Sequence, residues 1–156
     1  MLLEYLHAGG SGMYFLVLIS IACLSLVINL LFSLFLYQKA LQSGSLTKTM
    51  DLNSWEDAYF LLDRRIDWLG NLAGISTLTG LLGTVIGIFS AFQEMQTVKQ
   101  ASIEVFASGI SQALLTTILG LLIAVPSTLS MHIFRHYLEH LDWKIQKLLV
   151  PKEIKT

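Results

Sequence analysis

Charge is what this sequence has least of: Asp, Glu, Lys and Arg make up 13% of it, against a hydrophobic share of 54%. Soluble domains carry about 25% charged residues, so a water-soluble globule is excluded. Ten Lys and Arg stand against eleven Asp and Glu, and no basic run is dense enough to neutralise a phosphate backbone, which removes nucleic acid from the expected partners. There is a single cysteine, Cys23, in an apolar stretch. It can form neither an internal disulfide nor an all-cysteine metal site, and a buried free thiol is expected. Enzymatic chemistry has no support either. No Gly-rich phosphate loop follows a strand and no nucleophile has a basic neighbour. His132, His136 and His140 form an i, i+4, i+8 row that reads as a solvated helix face, with metal binding the lesser alternative. No catalytic residue, cofactor or metal is expected.

What is present is long and apolar. Met13–Tyr37, Leu69–Phe92 and Ile110–Phe134 run for 25, 24 and 25 residues without an Asp, Glu, Lys or Arg, the third interrupted only by Pro126 and His132. Each exceeds the roughly 20 residues that cross a 30 Å hydrocarbon core. The first is too long for a signal-peptide core and has no basic residue ahead of it, so it reads as an uncleaved span. The expectation is an all-α integral membrane protein of three transmembrane helices, with residues 1–156 forming one membrane domain. Nine of the ten basic residues fall in the 38–68 connection or the 135–156 tail, and only Lys99 falls between the second and third spans. By the positive-inside rule the connection and tail are cytoplasmic, and the N-terminus and the Gln93–Gly109 loop face the other side.

The cytoplasmic pieces read as extensions of the spans. Ser54 and Asp57 have capping-box spacing, and Trp55, Tyr59, Leu62, Ile66 and Leu69 recur every three or four residues, so one helix is expected from Ser54 to Phe92. Tyr137, Leu141, Ile145 and Leu148 continue the third span as an apolar stripe until Pro151 stops it. Gln42–Asp51, with Gly44 and scattered Ser and Thr, is the expected joint.

Around the second and third helices, small and bulky residues separate. At 100° per residue, one half of the second wheel holds Ser76, Thr77, Thr79, Gly80, Gly83, Thr84, Gly87, Ser90 and Ala91, and the other holds Ile75, Leu78, Leu81, Leu82, Val85, Ile86, Ile88, Phe89 and Phe92. On the third, Gln112, Ala113, Thr116, Thr117, Gly120, Ala124, Ser127, Thr128 and Ser130 share an arc into which only Ile123 intrudes. Helices in lipid approach closely where small residues face each other, so Gly80, Gly83, Gly87, Gly120 and Pro126 are expected at helix-packing positions. For Thr77, Thr84, Gln112, Thr116 and Thr117 two readings stand: bonding within and between helices, or a shared polar surface lining an ion path. The spans hold no carboxylate or ammonium, the groups that mark proton relays in membranes, so a proton path would need a titrating group from a partner helix. Hydroxyls suit such a path. A proton crossing about 150 mV releases ~3–4 kcal/mol, enough to exchange neutral hydrogen bonds of ~0.5–1.5 kcal/mol but largely absorbed in breaking a buried ion pair of ~3–5 kcal/mol.

Thr79–Phe92, TGLLGTVIGIFSAF, followed by Ala107–Pro126, ASGISQALLTTILGLLIAVP, resembles the ExbB/TolQ/MotA family of proton-channel subunits, closest to its ExbB and TolQ branch. The resemblance covers about 50 residues and implies a subunit of the bacterial inner membrane. It also implies a ring-shaped homo-oligomer, usually of five, around single-span partners of the ExbD/TolR type whose membrane aspartate carries the proton. The work is then done on a TonB- or TolA-like protein that spans the periplasm. The family's pore threonines fall on Thr84 and Thr117. Two departures stand out: Gln112 replaces the glutamate of the family's ISEAL stretch, and the 38–68 connection is short for the family. A passive oligomeric scaffold remains the alternative to a conducting subunit. An inverted-repeat transporter is disfavoured, because three unequal spans do not divide into matched halves.

Overall fold

The computed structural model describes residues 10–42, 52–98 and 103–153, all of them helical: α1 (Gly10–Gln42), α2 (Leu52–Val98) and α3 (Ile103–Glu153). Each helix is long and apolar enough to cross a membrane. The all-α architecture expected from the three charge-free runs is therefore present. At 1.5 Å per residue the 47 residues of α2 and 51 of α3 extend about 70 and 77 Å, more than twice the hydrocarbon thickness.

Several boundaries differ from the sequence expectation. The helix expected over Ser54–Phe92 begins at Leu52 and ends at Val98, which places Ser54 inside the first turn instead of at the cap. Most of the expected Gln93–Gly109 loop is helical, since α2 reaches Val98 and α3 begins at Ile103. The stretch Gln93–Val98 contains neither Gly nor Pro, so nothing in it breaks the helix, and the Phe92 and Phe106 rings pack edge to face at 5.3 Å. Pro151 does not stop α3, which runs on to Glu153. A proline in the final turn forfeits a single intrahelical bond. Of the expected joint, Gln42 closes α1, and residues 43–51 lie outside the described residues, as does the side chain of Leu148.

Contacts group the chain into two compact units, one of the residues up to Cys23 with Asn71–Pro126, the other of Leu24–Gly70 with Ser127 onward. In the first unit, α1 buries Met13, Leu16, Ile19 and the free thiol Cys23 at helical spacing. The bulky half of the α2 wheel, from Ile75 to Phe92, is exposed throughout, up to 66% at Leu78 and 67% at Phe89. In a chain that crosses a bilayer such a surface meets lipid.

The second unit is built on larger side chains. Trp55, Leu62, Ile66 and Leu69 of α2 and Phe134, Leu138, Leu141 and Ile145 of α3 are all buried, stepping by three, four or seven residues as in coiled-coil seams. Trp55, Leu141 and Ile145 form a cluster joined by Tyr37, Leu41, Tyr59 and Tyr137. The Tyr37 and Trp55 rings meet nearly perpendicular, centroids 5.7 Å apart.

Candidate functional site

The small-residue arcs of α2 and α3 meet within one chain, in the first unit. Gly80, buried, lies against Thr116, Thr117 and Gly120; a methyl group on Gly80 would stand 3.0 Å from the Thr116 carbonyl oxygen and 3.2 Å from the Gly120 Cα. One on Gly120 would stand 2.7 Å from the Ser76 carbonyl oxygen and 3.0 Å from the Gly80 Cα. These neighbours are backbone, which cannot swing aside. A methyl on Gly83 would run into the Thr116 side chain, and one on Gly87 would stand 2.7 Å from Ala113 Cβ. Pro126, expected among the packing positions, is exposed and takes no part in this contact. The ring loses the bond to the Leu122 carbonyl, yet α3 continues through it.

Backbone approach this close lets side-chain hydroxyls reach across to the neighbouring main chain. Ser76, completely buried, has a single hydroxyl proton shared between Ala73 O at 2.8 Å and, across the seam, Gly120 O at 3.2 Å. Thr117 Oγ1 donates to Gly80 O at 2.9 Å, and Thr84 and Thr117 Oγ1 lie 2.9 Å apart. A hydroxyl has one proton. With that of Thr117 given to Gly80 O, Thr84 is the donor of the pair, in competition with its own-helix acceptor Leu81 O at 2.7 Å. Thr116, buried, donates to Ala113 O at 2.8 Å.

Thr84, Thr116, Thr117, Gly80, Gly83, Gly87 and Gly120 thus share one intrachain seam. Thr77 does not join it: it is exposed and bonds Ala73 O of its own helix at 3.2 Å. Gln112, also exposed, lines a cleft of about 760 Å³ that follows the seam on the side of Gly12 and Phe15 of α1. Ser76 was legible only as one member of the small-residue arc, and its bond across to Gly120 carried no sequence signal.

The second unit holds a polar cluster that sequence spacing did not bring together. Arg135 pairs with Asp67 and lies 4.0 Å from Asp63, all three partly exposed. Trp55 Nε1 donates to Asp142 at 2.8 Å. Burial, followed by the negative charges of Asp63, Asp142 and Glu139, pushes the Tyr59 phenol above its ordinary value, with Arg135 opposing. His132, His136 and His140 are exposed, and His140 stacks on Trp143 with ring planes 11° apart. No metal-holding group of His, Cys, Asp and Glu occurs among the described residues.

A model of the MotA/TolQ/ExbB proton channel family matches residues 36–147, which takes in the whole seam. The chain belongs to that family. Among individual proteins it is 39% identical over 69 residues to the Tol-Pal system protein TolQ of Haemophilus influenzae, covering 44% of this chain and 30% of the relative. It is 36% identical over 73 residues to TolQ of Pseudomonas aeruginosa, covering 47% and 32%. With the biopolymer transport protein ExbB of Salmonella typhimurium the identity is 37% over 67 residues, covering 43% and 28%. The matched segment spans about a third of the length of these family members. The family membership suggested by the two motifs is therefore established, and the fold is that of a membrane protein.

Proposed function

We propose that this protein is a proton-channel subunit of an inner-membrane energy-transducing motor. It works as a homo-oligomeric ring, of five copies by analogy with its family, around a single-span ExbD/TolR-like partner whose aspartate supplies the titrating group that the spans here lack. Proton entry is coupled to work on a TonB- or TolA-like protein. The N-terminus and the α2–α3 connection face the periplasm, and the 38–68 connection and tail face the cytoplasm, as the nine-to-one distribution of basic residues favours.

The observation that carries this reading is the Thr84–Thr117 pair, 2.9 Å apart at a half-exposed edge of the seam inside the family-matched segment. Once Thr84 donates to Thr117 and Thr117 to Gly80 O, both retain acceptor lone pairs. A protonated partner carboxylic acid can donate to such a surface, and its carboxylate cannot, so the two charge states of the partner are distinguished. Gln112 and Thr116, along the cleft, and Thr77, about two turns before Thr84, extend the same neutral lining.

The test is Thr84→Val and Thr117→Val in the complex with its partner. Each keeps the shape of the side chain and removes the oxygen. If a step of the cycle relies on a hydrogen bond of ~1–1.5 kcal/mol here, proton-driven activity falls about tenfold while the oligomer survives. A passive scaffold is favoured by one fact, that the hydroxyl protons are already committed within the chain. It predicts intact oligomers with full activity in both variants. Orientation is checked separately: a cysteine at Glu104 labels from the periplasmic side and one at Lys147 from the cytoplasmic side, and the reverse would overturn it.

A further inference from the structure

A small cavity in the second unit combines an apolar floor with a rim of hydrogen-bond donors. Gln38 and Leu41 of α1 enclose it together with Tyr137, His140, Leu141 and Lys144 of α3. Leu41, Tyr137 and Leu141 also belong to the cluster around Trp55, so packing fixes the walls. The cavity lies just past the apolar runs: Gln38 follows the charge-free stretch that ends at Tyr37, and Tyr137 stands three residues beyond Phe134. Measured along their helices, both are within about 5 Å of the ends of those runs, the depth at which phospholipid headgroups begin.

The chemistry of the lining selects an anion. Lys144 brings a full positive charge and three donors, and Gln38, Tyr137 and His140 each bring at least one more. Among the described residues no hydrogen bond or ion pair engages Gln38, Tyr137 or Lys144, while His140 is held by its stack on Trp143. No carboxylate lines the cavity. Asp142, next to Leu141, turns instead to Trp55 Nε1 and Gln146, and Glu139 is exposed outside the lining. The negative end of the α1 dipole would oppose an anion, and Lys39 in the last turn of that helix offsets it.

Size and surroundings narrow the choice of anion. At about 260 Å³ the cavity is smaller than the ~300–1,000 Å³ that enclose a drug-sized ligand, which disfavours a nucleotide and suits a phosphate with its glycerol. Toward the apolar runs, Leu31 and Phe35 continue the Gln38 face of α1 and Ile133 continues the Tyr137 and His140 face of α3, all three exposed. They offer acyl chains a surface that a free phosphate would leave unused.

We propose that this cavity is a headgroup site for an anionic phospholipid, its phosphate held by Lys144 and His140 with hydrogen bonds from Tyr137 and Gln38, and its chains lying on Leu31, Phe35 and Ile133. Basic pockets between membrane helices take such headgroups. A choline or ethanolamine head would bring an ammonium for which the lining has no carboxylate, so a glycerol head is preferred. The site goes beyond the proton-channel reading and does not rest on it.

The experiment titrates the full protein, purified in a neutral detergent, with phosphatidylglycerol and separately with phosphatidylcholine of the same chains, counting bound lipid per chain by native mass spectrometry. Phosphatidylglycerol should bind at least about tenfold more tightly, the scale of one hydrogen bond to a charged group. His140→Gln combined with Lys144→Gln should bring the two lipids within about twofold of each other. Tyr137→Phe, which keeps the ring and removes a donor, should weaken phosphatidylglycerol by about threefold or more. Arg64→Gln combined with Lys147→Gln removes charge at exposed positions outside the cavity and should keep the full preference. Equal affinity for the two lipids, a preference unaltered in the cavity variants, or one lost equally in the control variant would each overturn the proposal. So would displacement of the lipid by an equal concentration of inorganic phosphate, which would mark a free-anion site. Each of these outcomes leaves the proton-channel reading standing, and loss of that reading would leave the lipid preference unchanged.

Discussion

α2 and α3 meet twice, and by opposite chemistry. In the unit containing Asn71–Pro126 they touch through Gly80, Gly83, Gly87, Ala113, Thr116 and Gly120, close enough for Ser76 and Thr117 to bond the main chain of the other helix. In the unit containing Ser127 onward they touch through Trp55, Leu62, Ile66, Leu138, Leu141 and Ile145, with Arg135 paired to Asp67 and Trp55 bonded to Asp142. The difference follows from the solvent each stretch is written for. Lipid gives large apolar side chains no reason to leave it, so helices there associate by close backbone packing and hydrogen bonds. Where water is the surroundings, removing a large side chain from it is worth ~1.5–3 kcal/mol, and bulk belongs in the seam.

The sharpest way to break this comparison is to put bulk into the lipid-type seam. Gly120→Leu places a side chain against the Ser76 carbonyl and the Gly80 Cα. Backbone cannot yield cheaply, so a loss above ~3 kcal/mol is expected, seen as failure to purify a folded complex. Gly74→Leu, on the same helix as Gly80, is the control. A methyl group there has nothing within 4 Å and Gly74 is exposed, so the thermal midpoint should be nearly unchanged. Equal damage from both would mean that helix propensity, and not proximity, governs these glycines.

Next is truncation in the other seam. Leu138→Ala and Ile66→Ala, both fully buried, should each cost ~2–5 kcal/mol. Leu122→Ala, 67% exposed in the first unit, should cost little, because a lipid-facing leucine loses contact with a solvent as apolar as itself. A large loss at Leu122 would show that its face is covered in the assembly.

How far the sequence carried depended on which quantity was local. The bulky half of the α2 wheel is exposed throughout and the seam is drawn from the small half, of which Thr77 and Ser90 are exposed as well; that much was legible because 100° per residue is a property of the helix itself. The stripe of Trp55, Leu62, Ile66 and Leu69 was legible for the same reason. Partnership was not. Gly83 could have faced a second copy, and it faces Thr116 of its own chain. Trp55 and Asp142 are 87 residues apart, and no spacing rule links them. Pro126 and Pro151 mark the other limit: helix breakers by propensity, they are accommodated in α3 because each removes one bond from a helix of 51 residues.

A smaller effect is expected at Arg135. Its side chain is 40% exposed and its partners Asp63 and Asp67 are 38% and 55% exposed, so solvent and salt screen the attraction and Arg135→Gln should cost no more than ~1 kcal/mol. The loss should shrink between low and high salt. A loss that ignores salt would place this cluster in a drier setting than its exposure indicates.

The smallest effect separates two roles for the seam hydroxyls. Thr117 holds two partners on α2, Gly80 O and Thr84, whereas Thr84 has one partner across the seam and alternatives on its own helix. Thr117→Val should therefore destabilise the protein more than Thr84→Val, and the double variant should cost less than the sum. Their coupling should be about 0.6 kcal/mol, the scale of hydrogen bonds between membrane helices, read from thermal or denaturant unfolding of all four proteins under one condition. Such a value is small against the energy of a proton crossing the membrane, ~2.3 kcal/mol per 100 mV. The pair is then weak enough to be opened and remade in each cycle, as a surface that trades partners with a carboxylic acid requires. A coupling several times larger would mark the pair as a fixed clasp between α2 and α3, and the passage of protons would have to be sought along the cleft instead.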